Sequence, residues 1–185
     1  MNRVSRRQFL AATLLAGSYA SVARANPADK PTQAHASLPW HNWSGGQSAD
    51  PAGRFAPSSE QELIDFVQRQ PGPLRPVGAG HSFSGLVPTD GNLVVLDRLD
   101  GLRAHDATTA TFGAGTRLSE TGPLLQNIGQ ALFNLPDIDR QTLAGAISTA
   151  THGTGVSLQS LSAYVTGIRL ITPAGDVFDL DQTRE

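Results

Sequence analysis

Arg75-Pro76-Val77-Gly78-Ala79-Gly80-His81-Ser82-Phe83-Ser84-Gly85 is the stretch on which the reading of this 185-residue chain turns. Leu74 to Val77 reads as a short strand, and it runs straight into a loop built on Gly78, Gly80 and Gly85. Glycine allows positive φ and close backbone approach, so successive N–H groups can face one concavity and hold a pyrophosphate without a lysine. The familiar alternatives fail on the residues themselves. The loop lacks the Gly-Lys-Ser/Thr ending of a P-loop, and Phe83 stands where a Gly-x-Gly-x-x-Gly turn needs its third glycine. Around Ser82, a nucleophile elbow would need its last glycine where Ser84 stands, so Ser82 fits poorly as a hydrolytic nucleophile.

A second stretch repeats the same logic. Asp137-Ile138-Asp139-Arg140-Gln141-Thr142-Leu143-Ala144-Gly145-Ala146-Ile147-Ser148-Thr149-Ala150-Thr151-His152-Gly153-Thr154-Gly155 interleaves small residues with hydroxyls, and Gly145 to Gly155 reads as a second small-residue loop. Two such loops suit a long, anionic, two-headed ligand such as a dinucleotide.

Between and around them, short strands alternate with a few helices, so the class is mixed α and β. Ser59 three residues before Glu62 has capping-box spacing, and Leu63, Ile64, Phe66 and Val67 form one apolar helical face; a helix is predicted over 59–70, stopped by Pro71-Gly72-Pro73. Strands are predicted at Leu93 to Leu96, Thr108 to Phe112 and Ala131 to Leu135. Leu118 to Ile128 is a weaker helix, one piece or two, because Gly122-Pro123 falls inside it. Tyr164 to Ile171 and Val177 to Leu180 flank Thr172-Pro173-Ala174-Gly175-Asp176, a hairpin signal. Trp40 and Trp43 read as core packing, and His41 and His105 as surface histidines.

The N-terminus reads as an address. Residues 1–25 hold Arg3, Arg6, Arg7 and Arg24 and no acid, and an apolar run from Phe9 to Ala20 has the length of a signal h-region rather than of a bilayer span. Ser5-Arg6-Arg7-Gln8-Phe9-Leu10 resembles the twin-arginine (Tat) export motif, and Ala23-Arg24-Ala25 offers a cleavage site. Cleavage after Ala25 is expected, followed by a flexible leader over 26–37 that carries His35, to which no role falls. Lys+Arg 14 less those four arginines leaves 10 against 16 Asp+Glu, a charge of −6 on the exported body. Such a body offers no footprint for nucleic acid and no attraction to an anionic membrane surface. The absence of cysteine removes Cys-based metal and redox sites.

Taken in order, Trp40-His41-Asn42-Trp43-Ser44-Gly45, the 75–84 stretch and the 137–155 stretch resemble the FAD-binding (PCMH-type) domain of the sugar-lactone and alditol oxidases. This group, similar to the gulonolactone and arabinonolactone oxidases, belongs to the vanillyl-alcohol-oxidase type of flavoproteins, and the resemblance covers nearly all of 38–180. It implies an α+β fold of two small α/β subdomains over 38–185, incomplete at the C-terminus, with the substrate-holding cap domain absent. It also implies that Pro76, Val77, Gly78, Ala79, Gly80, His81 and Ser82 wrap the FAD pyrophosphate, and that His81 is a candidate for covalent bonding to the 8α-methyl carbon of the flavin. Thr142, Gly145, Ser148, Thr149, His152, Gly153 and Thr154 match positions around the flavin and its phosphates, with Ser148 and Thr149 as donors and His152 as a structural residue bonding the backbone.

The function implied is oxidation of a sugar lactone or small polyol by hydride transfer to FAD, with reoxidation by oxygen or another acceptor. No residue of the chain stands out as a catalytic base. A non-catalytic flavin-binding module, or the remnant of a split gene, is the alternative.

Overall fold

The computed structural model describes residues 39–70 and 72–181; the predicted export segment 1–25 and leader 26–37 lie outside them. The chain divides into two units, His35–Tyr164 and one containing Val165–Glu185.

The first unit opens on a small antiparallel hairpin, β1 (Trp40–His41) with β2 (Ser48–Ala49). A parallel three-stranded sheet follows, built from β3 (Gly53–Phe55), β4 (Leu74–Val77) and β5 (Asn92–Val95), with β5 in the middle. Leu93 is fully buried and Val94 is 4% exposed, which is why the run Leu93-Val94-Val95 is apolar without alternation: a central parallel strand is covered on both faces. Burying the Leu93 side chain alone stabilises the unit by about 2 kcal/mol. Helix α1 (Glu60–Arg69) crosses from β3 to β4 and stacks Phe66 on Phe55 of β3, centroids 4.0 Å apart. Ser59 caps α1 through Glu62 N as the spacing predicts. The returning carboxylate of Glu62 bonds instead to the N–H and hydroxyl of Ser58, and these bonds lower its pKa.

Next come the hairpin β6 (Leu102–His105) with β7 (Ala110–Phe112), then α2 (Leu118–Gln126), α3 (Leu143–Ser148) and a 3-10 turn at Leu161–Tyr164. One apolar cluster gathers Trp40, Val77 and Leu93 beneath the glycine loop, and a second gathers Leu118, Ala146 and Leu161, joining α2, α3 and the 3-10 turn. The second unit, in its described part, is an antiparallel hairpin of β8 (Gly167–Ile171) and β9 (Val177–Asp181), joined by a turn in which Gly175 has φ +83°.

Three sequence expectations change, and one open choice is decided. Ala131 to Leu135 is not a strand: among the described residues no ladder partner is offered to it, Phe133 stacks on Tyr164, and Asn134 Nδ2 donates to Thr154 O at 3.1 Å. Helix α2 is one piece despite Pro123, since Leu118 and Leu125 are both anchored in the interior. The strand expected from Thr108 starts at Ala110, because Asp106 captures the N–H groups of Thr108 and Thr109 in a turn. The strand expected from Tyr164 starts at Gly167, Tyr164 itself being the last residue of the 3-10 turn.

Candidate functional site

The loop after β4 is shaped from outside by the β1–β2 hairpin. Trp43 N donates to Gly80 O at 2.8 Å, Asn42 Nδ2 to Ser82 O at 2.9 Å, and Gln47 Nε2 to Phe83 O at 3.4 Å. Asn42 is 5% exposed, and its Oδ1 accepts from Gln47 N at 3.0 Å and Ser44 Oγ at 3.3 Å. The Asn42 amide supplies both the donor and the acceptor that this position uses. Gly80 has φ +69°, and a Cβ on it would lie 3.4 Å from the Trp40 ring and 3.5 Å from Asn42 Cα.

With the carbonyls of Gly80, Ser82 and Phe83 bonded to the hairpin, the amides of Ala79, Gly80, His81 and Ser82 have no hydrogen-bond partner among the described residues. Backbone donors in half-buried positions are rarely left unpaired. A consecutive run of them, interrupted by one left-handed residue, is the backbone pattern of an anion nest.

Beside this run lies a cleft of ≈ 340 Å³ lined by Ala79, His81, Arg117, Ser119, Glu120 and Arg140. Arg117 is fixed there: Nη2 meets Asp97 Oδ2 at 2.9 Å and Nη1 donates to Arg140 O at 3.0 Å, tying the end of β5 to the segment ahead of α3. Arg140 is largely exposed, with Nε 3.6 Å from Asp139 Oδ1. Both guanidiniums are thus paired with carboxylates, and Glu120 also lines the cleft, so it is the free amides, with a volume within the usual range of cofactor sites, that fit a diphosphate-bearing ligand.

The second small-residue stretch is divided rather than being one loop. Leu143–Ser148 is helix α3, and Thr142 is its N-cap, its hydroxyl accepting from Gly145 N at 3.2 Å. The first amides of α3 are bonded to Thr116 O and Ala114 O, so this helix start is docked onto its own unit. Ser148 Oγ donates to Ala144 O and Thr149 Oγ1 to Gly145 O, which commits both hydroxyl protons to the helix and leaves their oxygens as acceptors. The helix ends with Ala150 at φ +52° and Thr151 N bonded to Ala146 O, a turn usually given to glycine.

Thr142 and the first loop are in direct contact, because a Cβ on Gly78 would strike Thr142 Oγ1. Val77 lies in the core under that loop, and Pro76 is an exposed residue of β4 paired with Val94. Gly153 packs on the backbone of Leu135, Thr154 O accepts from Asn134, and His152 Nδ1 donates to Gly153 O at 2.9 Å.

Ser82 Oγ accepts from Ser84 N at 3.3 Å, and among the described residues no histidine or carboxylate bonds to it, so it lacks the base an activated nucleophile needs. Trp40 is core, as its sequence context predicts, whereas Trp43 is 66% exposed and stacks on His81. Sequence reasoning missed Asn42 and Arg117, which hold the site, and Trp43, whose indole lies on His81. The bonds that place them reach 40 positions along the chain for Asn42–Ser82 and 20 for Arg117–Asp97, and no local pattern records that.

Comparison with known proteins agrees with this geometry. The family profile described as an FAD binding domain matches residues 51–181. The L-gulono-1,4-lactone dehydrogenase of Mycobacterium tuberculosis is 38% identical over 148 residues, covering 77% of this chain and 35% of that protein. A long-chain alcohol oxidase of an uncultured marine euryarchaeote is 40% identical over 133 residues, covering 70% of this chain and 27% of that one. Cholesterol oxidase from B. sterolicum superposes with a TM-score of 0.67 at 20% identity, over 85% of this chain and 35% of that structure, a likeness of fold. The chain thus spans about a third of the length of the curated relatives it matches. Because the profile runs from just before β3 to the end of β9 and contains the whole glycine loop with its free amides, the chain belongs to the FAD-binding domain family, in the vanillyl-alcohol-oxidase (PCMH) type of fold, and its cofactor is FAD.

Proposed function

We propose that this chain is the flavin-binding part of an exported oxidoreductase acting on a secondary alcohol of a sugar lactone or alditol. The observation that carries the reading is the run of free amides from Ala79 to Ser82 beside a cleft that His81 and two arginines line. Those amides take the diphosphate, and Gly78 and Gly80 let the backbone come close. His81, which lines the same cleft, is the covalent attachment point. Bound FAD supplies a hydride acceptor, which no side chain can be. The substrate class follows from the likeness to the L-gulono-1,4-lactone dehydrogenase.

The experiment is to incubate the full chain with FAD, denature it and look for flavin fluorescence in the protein band. A fluorescent band that His81→Ala abolishes is expected; no band, or one that survives the substitution, refutes attachment at His81. Bleaching of the bound flavin by an aldonolactone reports catalysis.

Export rests on the paired arginines Arg6-Arg7 and the Ala23-Arg24-Ala25 site. An exported protein beginning at Asn26 is the expected result of N-terminal sequencing, and a start at Met1 would overturn it.

A further inference from the structure

The reading of His81 as the attachment point leaves the side chain beside it without a role. Trp43 is 66% exposed, while Trp40, three residues earlier on the same hairpin, is buried at 7%. An indole left outside a core with which its neighbour packs needs another contact to hold it, and that contact is His81: the rings are stacked with centroids 5.3 Å apart and planes 25° from parallel. The backbone of Trp43 is itself tied to the His81 loop through Gly80 O, and buried Asn42 fixes the other side through Ser82 O. Hairpin and loop therefore hold the two rings in one register.

We propose that Trp43 is a positioning residue for His81: its indole holds the imidazole in one orientation at the cleft, so that a ring nitrogen is presented to the bound flavin. The proposal rests on the reading of His81 given above. In attachment, a bond forms between one His81 ring nitrogen and the 8α-methyl carbon. That carbon and the imidazole each give up one proton, and the two electrons released pass to dioxygen, which leaves as hydrogen peroxide. The step has no leaving group to drive it, so the fraction of time that the imidazole points correctly enters the rate directly. A histidine on a half-exposed loop is otherwise free at χ1 and broadly distributed at χ2. An aromatic stack at this separation restricts both.

The test uses the full chain incubated with FAD in air, with three readouts: the rate at which flavin becomes acid-stable, the affinity for FAD, and the proton resonances of the His81 ring. Trp43→Ala is expected to slow attachment by about tenfold, the upper end of what a stacked pair is worth. Affinity for FAD stays unchanged, and the ring-current displacement of the His81 protons disappears. Trp43→Phe restores most of the attachment rate. Attachment by Trp43→Ala at the wild-type rate overturns the proposal, as does slowing that merely follows lost FAD binding. A wild-type chain that attaches no flavin overturns the reading of His81, and the proposal with it; normal attachment in Trp43→Ala overturns the role of Trp43 alone.

Discussion

Replacing Gly78 with alanine tests the contact that joins the two small-residue stretches. A methyl group at Gly78 would strike Thr142 Oγ1, with Thr142 Cβ at 3.4 Å and Cγ2 at 3.5 Å, and Thr142 is 3% exposed, so its side chain has little room to turn. Displacing the hydroxyl breaks the cap on Gly145 N, at about 1 kcal/mol, and the crowding adds about 1–3 kcal/mol. The φ of Gly78 is not in the left-handed region, so the backbone tolerates alanine, and the stiffer unfolded chain returns about 0.4–1 kcal/mol. Gly78→Ala is therefore expected to destabilise the first unit by about 2 kcal/mol.

Thr142→Ala alone loses only the cap, about 1 kcal/mol. With the hydroxyl gone, the nearest remaining Thr142 atom would be its Cβ at 3.4 Å, ordinary van der Waals distance. The double variant should thus be about as stable as Thr142→Ala by itself, a coupling of about 2 kcal/mol read from a double-mutant cycle in urea. Strict additivity would refute the contact between Thr142 and the glycine loop.

Two further results follow from the site and its surroundings. Asn42→Ala removes a buried side chain that bonds Ser82 O, Gln47 N and Ser44 Oγ; a loss of about 2–3 kcal/mol in chemical denaturation is expected, with weaker FAD binding as the loop loosens. Asp106 accepts from Thr108 N first, then from Thr109 Oγ1 and Thr109 N, and these bonds pull its pKa from 3.8 down to about 2. The folded value lies below the unfolded one, so the contribution of this turn is complete above about pH 4 and fades as the pH falls through about 2. A carboxyl titration by NMR with a midpoint near 3.8 would show that the turn does not form as described.

The sequence was most legible where an element is specified by its neighbours in the chain. Helix α1 is set by Ser59 and an apolar face, β5 by an unbroken run of branched residues, and the β8–β9 hairpin by the Pro-Ala-Gly turn. It was least legible where pairing is distant. The three residues of β3 carry no period, and they become a strand because β5 lies alongside in parallel register. Ala131 to Leu135 has strand composition, yet Phe133 is 77% exposed and no strand among the described residues pairs with it. Within the 137–155 stretch, the small residues that read as loop are helical over Leu143–Ser148 because Thr142 caps them and Ala146 is fully buried against Leu118 and Leu161.

By itself, the sequence determined the chemistry available: a glycine loop free to bring amides to an anion, a histidine within it, and no cysteine. Composition and local backbone freedom are properties that each residue carries wherever it is placed. Only the tertiary structure decided which of those groups are free to act. The hairpin takes up the carbonyls of Gly80, Ser82 and Phe83 and leaves the amides open, Thr142 seals Gly78, and the indole of Trp43 lies on His81. Each of these, whether hydrogen bond, close packing or ring stack, is a contact between residues far apart along the chain, and no short window of sequence contains both partners.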